Sequence, residues 1–357
     1  MTRGHVRIIG AGLIGTSIAL GLKGAGYRVS VEDEDLEAEE IAQHLIGVGE
    51  SEHDPDLIVI ATPISTISTL VKEYGTRYPA STVIDIGGLK TEVIQEIQSF
   101  SDISERFCST HPMAGREIAG PLAARGDLFQ GRIWITTPTS HTSPQVRKQT
   151  SELIVSLGGI EVELEGEKHD SVIAGISHLP QVLSSLLSLT LDGMEESALA
   201  LAGQGLKDVS RLAASDPDLW AELLHANRKS LAIYLDKLSY LLNDLSTSLQ
   251  NDDLRKTHEM LSLAKENHQR IPGKHGGKKR DYWYLPIVIE DKPGQLAAIF
   301  DVCAVVAANV EDLTIEHTPG HETGLVTLAL SHEDAIKLFD QLLVDGWKVH
   351  LPRESIG

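Results

Sequence analysis

Over the first 165 residues, short apolar runs alternate with longer amphipathic stretches. Val6–Ile9, Arg28–Val31, Leu57–Ala61, Thr82–Ile86 and Ile133–Thr136 read as strands, which predicts an α/β fold: a mostly parallel, doubly wound sheet with helices on both faces. From about Glu167 to Gln269 β-branched clusters vanish and apolar residues recur at three- and four-residue spacing, so this part is expected to be all-helical. Within Asp218–Gln250, the series Leu219, Leu223, Leu231, Leu235, Leu238, Leu242, Leu245 and Leu249 marks one face of a helix. Such a helix, of about 30 residues, would run about 45 Å, too long for one compact core. Its stripe is expected to pack against a second subunit, the alternative being an intramolecular bundle. Asn267–Lys279 (NHQRIPGKHGGKK) breaks both periodicities and reads as a linker. Beyond it, strand Tyr284–Glu290, helix Gln295–Ala308, strands Val310–His317 and Gly324–Ser331, helix Glu333–Asp345 and strand Trp347–Leu351 form a βαββαβ unit. The expected division is 1–165, 166–266, a linker at 267–283, and 284–357.

Composition narrows the function classes. The 357 residues carry 31 Lys and Arg against 51 Asp and Glu, a net charge of −20 that repels nucleic acid and anionic lipid. The start lacks the apolar stretch of a secretory signal, and no uncharged run is expected to reach the roughly 18 residues that span a bilayer. The expectation is a cytoplasmic protein with neither nucleic acid nor membrane as partner. Cys108 and Cys303 are far apart and outside any CxxC spacing, so both read as reduced, buried thiols, and no metal site is predicted.

Gly10-Ala11-Gly12-Leu13-Ile14-Gly15 follows the first strand at once and opens a helix, the setting a dinucleotide-binding fingerprint requires. Gly10 permits the tight turn, Gly12 lets a pyrophosphate approach the helix N-terminus, and Gly15 permits close helix–strand packing. Asp33, or its neighbour Glu32, ends the second strand where a carboxylate meets ribose hydroxyls. Residues 34–40 add five carboxylates and no cation to hold a 2′-phosphate, so NAD is favoured over NADP. Thr62 and Pro63, after the third strand, stand at the sheet edge that touches cofactors in such folds.

Two histidines sit in unusual local sequences. His111 lies in STHPMAGRE, read as following a strand, and His178 in SHLPQ, inside the first helix of the second region. Either alone is more often a satisfied structural residue than a functional one. Lys207 and Arg211 stand one helical turn apart in GLKDVSRLAASDPDLW, a pairing also found on an ordinary solvated helix face.

Taken together, GAGLIG, DIGGLK (85–90), THPMAGRE (110–117), ISHLP (176–180) and GLKDVSRLAASDPDLW (205–220) resemble, in order, the prephenate and arogenate dehydrogenases of tyrosine biosynthesis. The C-terminal unit, with Asp291, Pro293, Gly294, Gln295 and Leu296 after its first strand, resembles an ACT domain of ferredoxin-like fold, a module that binds amino acids. The resemblance implies a Rossmann domain followed by a helical dimerisation domain, a homodimer, and NAD-dependent oxidative decarboxylation of prephenate, or of arogenate, at their junction. It makes His111 the acceptor for the substrate's 4-hydroxyl, His178 a second active-site histidine, Arg211 the carboxylate-binding arginine and Trp220 a pocket residue. Arg116 and Lys207 are expected to add charge for a dianionic substrate, and tyrosine or a related amino acid to act as effector at Asp291–Leu296. One departure matters: Gly88 stands where family members often carry a serine beside the catalytic histidine. An imidazole with the reference pKa of about 6.5 predicts activity that falls as pH drops through that value.

Rival readings are a 3-hydroxy acid dehydrogenase, which needs a catalytic lysine (Lys90 or Lys207), and a non-catalytic amino-acid sensor.

Overall fold

A computed structural model describes residues 3–47, 54–115, 118–271, 282–317 and 323–354. Two compact units divide the chain, 1–252 and 253–357.

The first unit is built on seven strands: β1 (Arg3–Ile9), β2 (Tyr27–Glu32), β3 (Leu57–Ile60), β4 (Thr82–Asp85), β5 (Phe107–Pro112), β6 (Ile133–Thr137) and β7 (Ile160–Glu163). They lie in the order β2-β1-β3-β4-β5-β6-β7. The first five run parallel, β6 is antiparallel to β5, and β7 follows β6 in parallel. All four side chains of β3 are buried, as the uninterrupted run LIVI requires of a strand covered on both faces. Alternate residues point to opposite cores: Leu57 and Val59 join Ile8, Ile18 and Trp134, while Ile58 and Ile60 join Ile67, Val71 and Phe107. Each such aliphatic side chain contributes about 1.5–3 kcal/mol on full burial. The chain leaves β1 for β2 on one side and returns to β3 on the other, so the glycine loop sits at the switch point where open α/β sheets bind ligands.

The five expected strands are present, and two more complete the sheet. His111 lies within β5 and not after it. Its neighbours Phe107, Cys108, Ser109 and Thr110 are all buried, so the polar residues of FCSTHP face protein partners on an interior strand.

After β7 the chain turns helical. Gly166–Leu189 is continuous over 24 residues, and by length and composition it could cross a bilayer. This corrects the expectation that no run reaches that threshold, because no Asp, Glu, Lys or Arg occurs from 171 to 191. Its buried side chains include His169, Asp170, His178, Gln181 and Ser184, the polar face of a helix that lines a site. Pro180 has no N–H to give the preceding turn, and Ala174–His178 just before it widens into a π-turn. The single long helix expected over 218–250 is instead two, Pro217–Ala226 and Arg228–Gln250. The break falls at Asn227, whose backbone leaves helical geometry and whose buried side chain bonds outside its own helix.

In the second unit, helix Leu254–Gln269 extends into what was read as linker, since 267–269 are helical, and 272–281 lie outside the described residues. Beyond them come β8 (Trp283–Glu290), helix Gln295–Val305, β9 (Asp312–His317), β10 (Thr323–Leu330), helix His332–Val344 and β11 (Lys348–Val349). The antiparallel sheet has the order β11-β8-β10-β9, the predicted βαββαβ arrangement. Leu285, Ile287 and Ile289 alternate inward on β8, as do Val326, Leu328 and Leu330 on β10. Ala335, Leu338 and Leu342 meet them from the second helix at i, i+3, i+7 spacing. Leu328 is fully buried on a strand paired on both sides, so Leu328→Ala should destabilise this unit by about 2–5 kcal/mol. Calorimetry of the full chain checks it: a C-terminal transition that does not move would contradict this core.

Candidate active site

The glycine loop is formed as the motif demands. Gly10 adopts φ +110, and a Cβ there would lie 2.3 Å from the Ala61 carbonyl oxygen. A Cβ on Gly15 would lie 2.0 Å from Gly10 O, while one on Gly12 would meet open space. Helix Leu13–Gly24 starts at Gly12 with no side-chain cap, so its first N–H groups, those of Leu13 and Ile14 among them, are left for an anion. Asp33 Oδ2 accepts the Ala11 N–H at 2.5 Å and places its carboxylate on the loop. Glu32 faces elsewhere: Tyr74 donates to it at 2.6 Å and Arg7 pairs at 3.6 Å. Of the two candidate acids, Asp33 is the one at the glycine turn. Thr62 lies against Gly10, and Pro63 opens helix Ile64–Arg77.

At the same sheet edge, where the parallel strands β1, β4 and β5 end, stands a buried polar cluster. Lys90 is fully buried, with Nζ 2.6 Å from Asp85 Oδ1, 3.0 Å from Ser109 Oγ and 2.6 Å from Thr110 O. Asp85 also accepts from Ser109 Oγ and, at 2.8 Å, from Gly87 N. An ammonium has three donors, and all three are used. Lys90 therefore holds β4 to β5 and shapes the GGL turn. It has no donor left to serve as the catalytic lysine of a 3-hydroxy acid dehydrogenase.

Next on β5, His111 Nδ1 lies 2.9 Å from His169 Nε2, and His169 Nδ1 lies 2.8 Å from Asp170 Oδ1. The Asp170 carboxylate also accepts the N–H groups of Lys90 and Thr91, both at 2.9 Å. The backbone carbonyl of Asp170 takes Asn227 Nδ2 at 2.8 Å, and the same nitrogen is 3.2 Å from His178 Nδ1. Trp220 meets the His178 ring edge-on at 5.9 Å. Sequence reasoning missed His169, Asp170 and Asn227. The adjacent His-Asp pair in the first turns of an apolar helix was the available signal.

Burial, and then the neighbouring His169 and Lys90, hold the His111 imidazole well below its usual range. Burial likewise lowers His169, and it lowers His178 to about 4. Burial alone would raise Asp170, but the bonds from His169, Thr91 and Lys90 leave it below the usual carboxylate range. The site thus holds neutral imidazoles beside an ionised carboxylate at neutral pH, which places the expected loss of activity below pH 6.5.

Lys207 and Arg211 are exposed, on helix Gln204–Ser210 and the short 3-10 turn Arg211–Ala214. Both pieces pack on helix Leu179–Leu189, which follows His178, and the 3-10 turn is bonded to it by Gln181 Nε2 to Leu212 O at 2.8 Å and Ala213 N to Ser184 Oγ at 2.9 Å. Arg116 lies outside the described residues. A side chain on Gly88 would start 3.1 Å from Leu223 Cδ2, so this position is closed over by helix Pro217–Ala226.

A glycine-loop nucleotide fold whose sheet edge carries a histidine cluster shared with a following helical region is the architecture of a dinucleotide-dependent dehydrogenase. Comparison with known proteins narrows the class. Residues 18–162 match the family model for the prephenate dehydrogenase nucleotide-binding domain, and residues 165–263 the model for its dimerization domain. Together these matches span more than half of the chain, which belongs to the prephenate dehydrogenase family. The "Probable prephenate dehydrogenase NovF" of Streptomyces niveus is 29% identical over 354 residues, covering 95% of this chain and 98% of that protein. The prephenate dehydrogenase of Bacillus subtilis is 25% identical over 355 residues, 95% of each. Among solved structures, prephenate dehydrogenase from A. aeolicus in complex with hydroxyphenyl propionate and NAD+ superposes with a TM-score of 0.68 at 26% identity, over 76% of this chain and 99% of that one.

Removing one member of a buried ion pair strands the other, so Lys90→Met should cost about 3–5 kcal/mol of stability. The double variant Lys90→Met/Asp85→Leu should recover part of it. Urea denaturation of both decides, and a single variant as stable as the parent would show that the pair does not hold the two strands.

Proposed function

We propose that the chain catalyses the NAD-dependent oxidative decarboxylation of prephenate to 4-hydroxyphenylpyruvate, as a cytoplasmic homodimer. The carrying observation is the hydrogen-bonded row Asp170–His169–His111, which delivers a neutral imidazole to the sheet edge where the glycine loop lies. NAD, when bound, supplies the hydride acceptor. The uncapped helix N-terminus at Gly12 suits its pyrophosphate, and Asp33 suits its ribose. His111 accepts a hydrogen bond from the substrate's 4-hydroxyl and stabilises the positive charge that develops at that carbon as hydride leaves. The ring carboxylate departs as CO2 and its bonding electrons complete the aromatic ring, so the reaction runs downhill and the protein needs only to position and polarise. Arg211, with a fixed fork of donors, binds a substrate carboxylate, with Lys207 and Arg116 adding charge and Trp220 closing the pocket beside His178. Leu183, Leu186, Leu189, Leu241, Leu242 and Leu249 are exposed large apolar residues of the helical region, and a second copy is the surface that would cover them.

The direct test is NADH formation with prephenate and with arogenate side by side. Turnover of neither would refute the reading. His111→Asn should keep NAD binding and lower turnover by roughly 10²–10⁴-fold. Because the folded-state pKa of His111 is depressed, the acceptor form persists as pH falls. Turnover should therefore stay level from pH 8 through the ordinary imidazole value of about 6.5 and decline only well below it. A midpoint at 6.5 would mean that the imidazole is solvated in the working enzyme.

Asp33→Ala should weaken NAD and relax the bias against NADP, since the carboxylate would repel a 2′-phosphate. An unchanged ratio of NAD to NADP efficiency would assign that role to the acids at 34–40.

The C-terminal unit reads as an ACT domain with an amino-acid effector, tyrosine or a relative. Its antiparallel βαββαβ sheet supports this, as does Gly294, at φ +89 in the turn from β8, which lets a ligand reach the backbone between Asp291, Pro293, Gln295 and Leu296. Coupling of about 1–3 kcal/mol would shift half-inhibition by roughly 5–150-fold. Tyrosine inhibition that persists unchanged in an active chain truncated before Tyr284 would place the effect at the active site instead.

A further inference from the structure

Two site histidines are tied to one residue, and the chemistry of its two ends differs. The Asp170 carboxylate is ionised and can only accept, so the proton between it and His169 belongs to Nδ1 of the histidine. A neutral imidazole carries one N–H, which leaves His169 Nε2 as a bare lone pair. That atom faces His111 Nδ1 at 2.9 Å, so His111 must carry its own proton on Nδ1, and its Nε2 is an acceptor. At the other end, the backbone carbonyl of Asp170 can only accept, so the Asn227 amide turns its NH2 group toward it. The second hydrogen of that NH2 points along the 3.2 Å contact to His178 Nδ1, which therefore accepts and leaves the His178 proton on Nε2.

We propose that Asp170, acting through His169 on one side and Asn227 on the other, sets His111 and His178 in opposite tautomers. The site then presents one ring as an Nε2 acceptor and the other as an Nε2–H donor. His169, Asp170 and Asn227 are positioning residues. The tautomers follow from the hydrogen bonds of neutral buried rings, whereas their use rests on the reading above: the acceptor takes the substrate hydroxyl, and the donor takes an oxygen acceptor of the same molecule, a carboxylate or the keto group. A site built this way cannot use His178 as a base through Nε2. It also explains why an asparagine interrupts the long apolar helix at 227, where its amide serves the site and not the helix.

The test is spectroscopic and independent of turnover. Long-range 1H–15N correlation of the ring nitrogens in the 15N-labelled full chain at pH 7.5 distinguishes protonated from bare nitrogens, with His111→Asn and His178→Asn used for assignment. The expected result is His111 protonated at Nδ1 and His178 at Nε2. The same tautomer in both rings, or a proton on His111 Nε2, overturns the proposal even if the enzyme oxidises prephenate. Failure to turn over prephenate with the expected spectrum would instead sink only the functional reading. In Asn227→Asp, a carboxylate replaces the amide, so the His178 proton should move to Nδ1 while His111 is unchanged, and turnover should drop roughly 10²-fold, as when an oriented donor is lost. An unmoved His178 proton in that variant also overturns the proposal, and if the variant does not fold, the parent spectrum still decides.

Discussion

Lys90 is the joint on which the site depends. Its ammonium, fully buried, is spent on Asp85, Ser109 and Thr110 of the sheet, while its backbone N–H goes to the Asp170 carboxylate of the following helix. One residue thus ties the ends of β4 and β5 to the helix that carries His169 and His178. Burying a charge pair is costly in itself, because desolvation offsets much of the Coulomb attraction. What such a pair provides is definition: with every donor filled and Asp85 held from three directions, the GGL turn has one geometry, and His111 on the next strand inherits it. The same fixed positive charge helps to keep the neighbouring imidazole neutral.

A chain of net charge −20 that binds an anionic nucleotide and an anionic acid must supply positive potential locally. It does so in two physically different ways. At the nucleotide end the source is backbone, the uncapped N–H groups after Gly12, which need no cation and leave the acids around Asp33 free to select against a 2′-phosphate. On the proposed reading, the source at the histidine end is side chain, the exposed Arg211 and Lys207 on pieces packed against helix Leu179–Leu189. Between them lies the buried cluster, whose charges are the paired Lys90–Asp85 and the carboxylate of Asp170.

Local signals in the sequence carried the fold a long way. The strand–glycine loop–helix passage, the strictly alternating strands of the C-terminal unit and the two histidine motifs are all written in contiguous residues. What stayed hidden was set by contacts distant in sequence. His169 and His178 are nine residues apart, which on a regular helix places them on opposite faces, at about 100° per residue. The π-turn at Ala174–His178 inserts a residue and rotates the second histidine back toward the first. Asn227 sits in a stretch with neither glycine nor proline, so nothing local foretells the break that its bonds to Asp170 and His178 require. The uncharged run at 171–191 was legible in the sequence and was passed over, whereas the inward turn of its histidine and glutamine is set by the fold.

Packing closes the turn at Gly88. This position has no side chain, and the space is occupied by Leu223, whose Cδ2 would lie 3.1 Å from a Cβ. A histidine without an orienting partner is a poorly defined acceptor, since either nitrogen can carry the proton. Here the orientation comes from His169, whose Nε2 lies 2.9 Å from His111 Nδ1. The hydrogen-bonded row fixes the proton of the His111 ring, and burial keeps the ring neutral. Neither would suffice alone, because a dry ring without a partner has no defined tautomer and an oriented ring in water loses the depressed pKa that keeps it an acceptor.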